Sequence, residues 1–208
     1  MRLRIQLAAT VAAIATLAAA GAQAGTLFSY AGPTGELPTD SFVSETFTGA
    51  AGAAQLSFAL DGFASLDGQN FYEDDFTLSL NGNPILTGTY NLGGGGNDVT
   101  FTSPVGASIN NISGNGTDVT WNGGQVLIST PLSLVAGLNT LTFRYDSLTD
   151  GHAGFQGTGD EGWGLENISV TQGAVPEPIS WALMIMGVAS MGAVLRRQRR
   201  LQPVPVRI

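Results

Sequence analysis

Two stretches gather enough oxygen donors at short spacing to do chemistry. In LDGQNFYEDDF, Asp67, Glu73, Asp74 and Asp75 fall within one short loop that contains a glycine. In TDGHAGFQGTGDEGWGLENISV, Asp150, Asp160, Glu161, Glu166 and Asn167 come just before the last apolar run of the domain. Carboxylates converging on such loops suit a hard cation, because calcium takes roughly six to eight oxygens in a flexible shell. The spacing is not that of an EF-hand, so a site requires the two loops to meet at one end of the fold. The plainer alternative is a solvated acidic turn beside a buried tryptophan, and the residues leave both open. Trp163, set between Gly162 and Gly164, is the best-placed ring to stack on a sugar, with Tyr72, Tyr90 and Trp121 as further members of an aromatic platform. Carbohydrate sites use such faces with polar groups nearby. Strand alternation assigns Trp121 to the core rather than to a ligand.

Other chemistry is poorly supplied. His152, the one histidine, lies near Asp150, but no G-x-S-x-G elbow exists for it to serve. There is no cysteine, which removes disulfides, thiolate zinc sites and cysteine nucleophiles together. GGGGNDVTF at 93–101 partly matches a calcium-binding nonapeptide, yet Thr100 stands where an apolar residue belongs and no tandem array follows. With sixteen acids, carboxylate pairs at glycosidase spacing arise by chance. The expectation is a protein that is not an enzyme, with a secreted glycosidase or esterase as the third reading.

Charge is segregated along the chain. All sixteen acids lie between Glu36 and Glu177, and residues 25–178 carry Arg144 as their single cation, a formal charge of −15. Nucleic-acid binding needs lysine and arginine to displace counterions, so nucleic acid is not an expected partner. The same field favours divalent cations.

Both ends read as processing signals. MRLRIQLAATVAAIATLAAAGAQA orders two arginines, an apolar run and Ala22-Gln23-Ala24 as a small-x-small cleavage site, the pattern of a secretory signal. Near the other terminus, residues 179–195 form a 17-residue uncharged run, at the short limit of the roughly 17–25 residues that span a bilayer as a helix. Arg196, Arg197, Arg199 and Arg200 follow it as a positive-inside stop. Pro176 and Pro178 favour an extended, accessible connector before it.

Between these signals the elements that must position the loops are short strands. FTLSL places Phe76, Leu78 and Leu80 on one face, and TLTFRY does the same with Leu141, Phe143 and Tyr145. AQLSFAL follows suit through Leu56, Phe58 and Leu60, and weaker strand signals lie at 84–90, 98–102, 118–121, 125–130 and 165–171. Asn81-Gly82 predicts a tight hairpin joining 76–80 to 85–90. The expected fold is all-β, an antiparallel β-sandwich of jelly-roll kind, with an N-terminal signal helix and a C-terminal transmembrane helix. The expected divisions are 1–24, the sandwich 25–174, a sorting segment 175–201 with its helix at 179–195, and a cytoplasmic tail 202–208.

Val175-Pro176-Glu177-Pro178, the apolar run and the arginine cluster together resemble a PEP-CTERM sorting signal. The resemblance implies recognition by an exosortase-type processing enzyme and transient anchoring in the inner membrane with the domain outside. Location at the cell surface or beyond, in an exopolysaccharide or biofilm matrix, would follow. The tail LQPVPVRI departs from that pattern, which usually stops near the arginines. Asp160, Glu161, Trp163, Gly164, Leu165, Glu166 and Asn167, with LVAGLNTLTF and the first acidic loop, resemble secreted galactose-binding-like and lectin-like jelly rolls. That resemblance implies a structural calcium ion at Asp67, Asp74, Asp160 and Glu161 with Asn167 behind them, and a calcium-dependent carbohydrate-binding role as the alternative to a purely structural one.

Overall fold

A computed structural model describes residues 24–113, 123–147, 157–173 and 178–200. The chain divides into two compact units, one of residues 24–173 and one of the terminal segments.

Among the described residues the first unit holds thirteen strands: β1 (Gly25–Tyr30), β2 (Leu37–Pro38), β3 (Ser41–Gly49), β4 (Gly52–Gly62), β5 (Leu66–Asp67), β6 (Asp75–Leu80), β7 (Asn83–Thr89), β8 (Gly93–Gly95), β9 (Val99–Thr102), β10 (Ser108–Ser113), β11 (Gly124–Leu134), β12 (Gly137–Asp146) and β13 (Gly162–Gln172). They form an antiparallel six-stranded sheet in the order β1-β13-β4-β11-β10 with β2 beside β13, an antiparallel five-stranded sheet in the order β3-β12-β6-β7-β9, and a small parallel β5-β8 pair. The expected sandwich is therefore what the chain makes.

Alternation is the reason the two sheets share one core. Along β6 every second residue, Phe76, Leu78 and Leu80, is buried while Asp75, Thr77 and Ser79 are not. On β12 Leu141, Phe143 and Tyr145 face the same interior. Phe58 of β4 bridges the sheets, its ring 5.9 Å from Phe76 and 5.0 Å from Phe143 in an edge-on approach. Each such ring or leucine contributes about 1.5–3 kcal/mol by leaving water. The β6–β7 hairpin turns at Asn81 (φ 53°) and Gly82 (φ 78°), the paired left-handed residues that this turn requires. The Asn81 side chain secures the turn by accepting the Thr140 N–H at 2.8 Å and donating to Asn139 Oδ1 at 3.1 Å.

In the second unit, helix α1 runs Pro178–Arg200. Proline at its first position lacks only an N–H that would be unbonded there anyway, and the arginines at its end complement the helix dipole. A helix thus forms where one was expected, but among the described residues no helix is long and apolar enough to cross a membrane. The transmembrane expectation is corrected accordingly. The run between Pro178 and Arg196 includes Ser180, Gly187, Ser190 and Gly192 and stops short of the ~20 apolar residues of an ordinary span. The expected signal helix lies outside the described residues.

Candidate functional site

The acidic loops do come together. The β5–β6 loop is closed by a reciprocal pair: the Asp67 N–H donates to Asp74 Oδ2 at 2.8 Å and the Asp74 N–H donates to the Asp67 carbonyl at 3.0 Å. Thr89 Oγ1 donates to that same carbonyl at 3.0 Å, which ties the loop to β7. The loop before β13 is held by Gly157, whose carbonyl accepts the N–H groups of both Asp160 and Glu161 at 2.9 Å. Ser65 joins the two, donating its N–H to the Asp160 carbonyl at 2.6 Å and its hydroxyl to Asp160 Oδ1 at 2.8 Å. Glu161 is buried and accepts from Thr39 Oγ1 at 3.1 Å, and Thr39 in turn shares a 2.9 Å hydrogen bond with Ser147.

Asp74 sits at the centre of this arrangement. It is fully buried, and burial pushes its carboxyl up to about 8, helped by the negative charges of Glu161, Asp67 and Asp75 and opposed by the Asp67 N–H. At neutral pH it is a neutral acid. Among the described residues its Oδ1 has no hydrogen-bond partner, and neither does the hydroxyl of fully buried Tyr145. Burial, with the Asp74 charge next, holds that phenol well above the usual tyrosine range. The end of the sandwich is therefore a proton-holding interior rather than an open acidic basin.

Of the residues expected to hold a metal, Asp67, Asp74 and Glu161 are electrostatic neighbours, and Asp160 is engaged by Ser65. Asn167 is elsewhere. It lies at the irregularity in β13 pairing between Glu166 and Ser169, in a left-handed conformation (φ 54°), with its N–H on the Ala31 carbonyl. Among the described residues no group of three or more His, Asp or Glu side chains converges closely enough to hold a metal ion.

Trp163 requires a correction. It is fully buried, packed 6.0 Å from the Tyr145 ring, with its indole N–H donating to the Pro38 carbonyl at 2.7 Å. No face is left for a sugar. Its flanking glycines serve close packing: a Cβ on Gly164 would stand 2.7 Å from the Phe63 ring, and one on Gly162 would collide with the Glu36 side chain. Tyr90 is also buried, and Trp121 lies outside the described residues. Of the platform's described residues Tyr72 alone is exposed, at 52%, beside Phe71 at 66%, the two rings 5.1 Å apart and nearly perpendicular.

One cluster was not read from the sequence. Gln125 Nε2 donates to Asp61 Oδ1 at 2.8 Å and to Glu166 Oε1 at 2.9 Å, which engages one oxygen of a fully buried aspartate. Its only sequence signal is a charge, Asp61, that breaks the apolar end of β4. The aspartate of the Gly-rich stretch, Asp98, accepts from Asn111 Nδ2 and from the Asn91 N–H at 2.8 Å, so it shapes a turn. His152 and Asp150 lie outside the described residues, as do Ala22, Val175, Pro176 and Glu177. Ala24 is exposed just before β1, Pro178 opens α1, Arg196 and Arg197 are exposed near its end, and Arg199 and Arg200 close it.

Among solved structures, the chain is similar to a CBM35 module from Cellvibrio japonicus Abf62 (14% identity, 74% of this chain and 89% of that one, TM-score 0.31). It is also similar to a family 35 carbohydrate binding module from Clostridium thermocellum (17% identity, 71% and 86%, TM-score 0.30). A third similarity is to an exo-beta-1,3-galactanase from Phanerochaete chrysosporium (17% identity, TM-score 0.31), with 72% of this chain covered but only 26% of the galactanase. TM-scores of this size carry no statement about ligand or reaction. No curated protein matches the chain. The C-terminal segment is different: residues 174–200 match the family model described as the PEP-CTERM protein-sorting motif, and the chain carries that motif, with the export by an exosortase system that it implies.

Proposed function

We infer that this is an exported β-sandwich protein, delivered by its N-terminal signal and processed at the C-terminal motif by an exosortase-type enzyme. It acts at the cell surface or in the extracellular matrix by associating with polysaccharide rather than by catalysis. The observation that carries the reading is the sorting motif at 174–200. A binding role is supported by the state of the site. The carboxyl with the most altered proton affinity, Asp74, is sealed from solvent, and a general acid must reach its substrate.

The test of processing is cell fractionation of the Pro176→Ala, Pro178→Ala double variant in the native host. The variant stays with the cells while the parent chain is released. Equal release of both refutes the role given to the motif.

Structural calcium is a second reading, supported by the orphaned, buried Oδ1 of Asp74 beside Asp67 and Glu161. Those three residues would hold the ion, with the remaining oxygens drawn from backbone and water. Because Asp74 must lose its proton to bind, affinity rises with pH.

A further inference from the structure

The outer face of the five-stranded sheet carries an ordered array that the acidic end does not explain. Read across the register, Phe42 (β3), Arg144 (β12), Thr77 (β6), Thr87 (β7) and Thr102 (β9) stand side by side in one row. Ser44, Thr142 and Ser79 form the next row, and Thr46 and Thr140 the one after. Neighbours within a row lie ~5 Å apart and rows on one face ~7 Å apart, so five strands extend the array over roughly 19 Å. The length is that of an oligosaccharide rather than of one sugar.

Phe42 is the aromatic member of the array, and Leu138, one row beyond Thr140 on the same face, is the further large apolar side chain exposed there. Phe42 is 62% exposed, although taking such a ring out of water is favourable. Beside it is Arg144, the single cation between residues 25 and 178. Its Nε donates to Asp146 Oδ1 at 2.8 Å and Oδ2 at 2.6 Å, which fixes the guanidinium on the sheet.

We propose that this face, from Phe42 through Arg144 to Thr102, is a docking surface for a neutral polysaccharide chain. The proposal rests on the polysaccharide reading above and names its site and partner. The charge pattern selects the partner. A domain with a formal −15 repels polyanions, and the one arginine is already paired with Asp146. An apolar protein surface would bury rows of threonine and serine hydroxyls, and apart from pairs such as Ser44 and Thr142, which bond each other at 3.0 Å, burying a hydroxyl against apolar groups is unfavourable. A polyol supplies a hydroxyl for each of them, C–H faces for Phe42, and donors and acceptors for the Arg144–Asp146 pair. The opposite sheet provides an internal contrast. Its outer face has a register row of five serines, Ser29, Ser169, Ser57, Ser129 and Ser108, with no aromatic ring in the row.

The test is native affinity electrophoresis of the full chain, which its own negative charge drives, through gels holding neutral β-glucan, galactan or mannan, or an anionic polyuronate. At least one neutral polymer retards the wild type. Phe42→Ala weakens that retardation by at least about tenfold in apparent Kd and Thr77→Val by several-fold, whereas Ser57→Ala and the Phe71→Ala, Tyr72→Ala double variant leave it unchanged. Melting curves of Phe42→Ala and Thr77→Val matching the wild type show that folding is intact. Retardation that both face variants leave untouched, or that moves with Ser57 or with Phe71 and Tyr72, overturns the site while the polysaccharide reading stands. Retardation by polyuronate alone overturns the neutral partner. No retardation by any polymer overturns both the site and the reading.

Discussion

Replacing Asp74 by asparagine isolates the buried carboxyl at the acidic end. In the folded protein Asp74 keeps its proton up to about pH 8, whereas the ordinary value is 3.8. Between those two pH values the unfolded chain holds fewer protons than the folded one, so this group makes stability fall as pH rises. Its contribution is fully present below about pH 4 and lost above about pH 8, with a slope of about 1.4 kcal/mol per pH unit. Across the window the loss is on the order of 5 kcal/mol, a large share of the ~5–15 kcal/mol that holds a domain folded. Asparagine has nearly the same shape, can accept the Asp67 N–H that now reaches Oδ2 at 2.8 Å, and does not titrate. Urea unfolding at pH 4, 6, 8 and 9 gives the comparison, because the other carboxylates of this acidic domain titrate in both proteins and cancel in the difference. Asp74→Asn should match the wild type near pH 4 and exceed it increasingly up to pH 8, after which the gap stays constant. Parallel curves over the whole range would refute the protonated, buried state assigned to Asp74.

Three residue positions test the rest of the account. Trp163→Ala should cost about 3–5 kcal/mol, as expected for emptying a buried aromatic site, and leave polysaccharide retardation unchanged at temperatures where the variant is folded; a loss of binding without a loss of stability would restore the ring as a ligand contact. Asn81→Ala should destabilise the domain by about 1–2 kcal/mol, because alanine disfavours the left-handed turn and cannot hydrogen-bond Asn139 and Thr140; a melting temperature equal to the wild type would count against the hairpin as described. Calcium titrated by calorimetry should bind more tightly at pH 9 than at pH 6 and raise the melting temperature, through Asp74 deprotonation. Absence of heat at both pH values removes the calcium reading.

The hairpin was readable because Asn81-Gly82 has one common use between alternating strands, and the structure puts both residues at positive φ. The core was readable for a related reason: Phe76, Leu78, Leu141 and Phe143 alternate cleanly with threonine, serine and arginine. β3 was not, since Phe42 and Val43 are adjacent and Glu45 follows, so apolar residues fall on both faces and no period of two stands out. That irregularity is also what leaves Phe42 on the surface. Asn167 was misplaced because it lies midway along β13, at a pairing irregularity, and register shifts leave no mark in the residue types. Trp163 was misread because glycines beside a ring suggest an open loop, whereas here they admit Phe63 and Glu36 to close packing. The state of Asp74 depends on burial and on neighbours distant in sequence such as Glu161, which no local spacing encodes.

The central claim is that the ends of this chain are addresses and the sandwich between them is what the cell exports. Mass spectrometry of the mature protein from its native host tests this most directly. The account predicts a chain beginning after Ala24 and ending within or just before the residues 174–200 that match the sorting motif. Recovery of an intact chain from Met1 to Ile208 would contradict it.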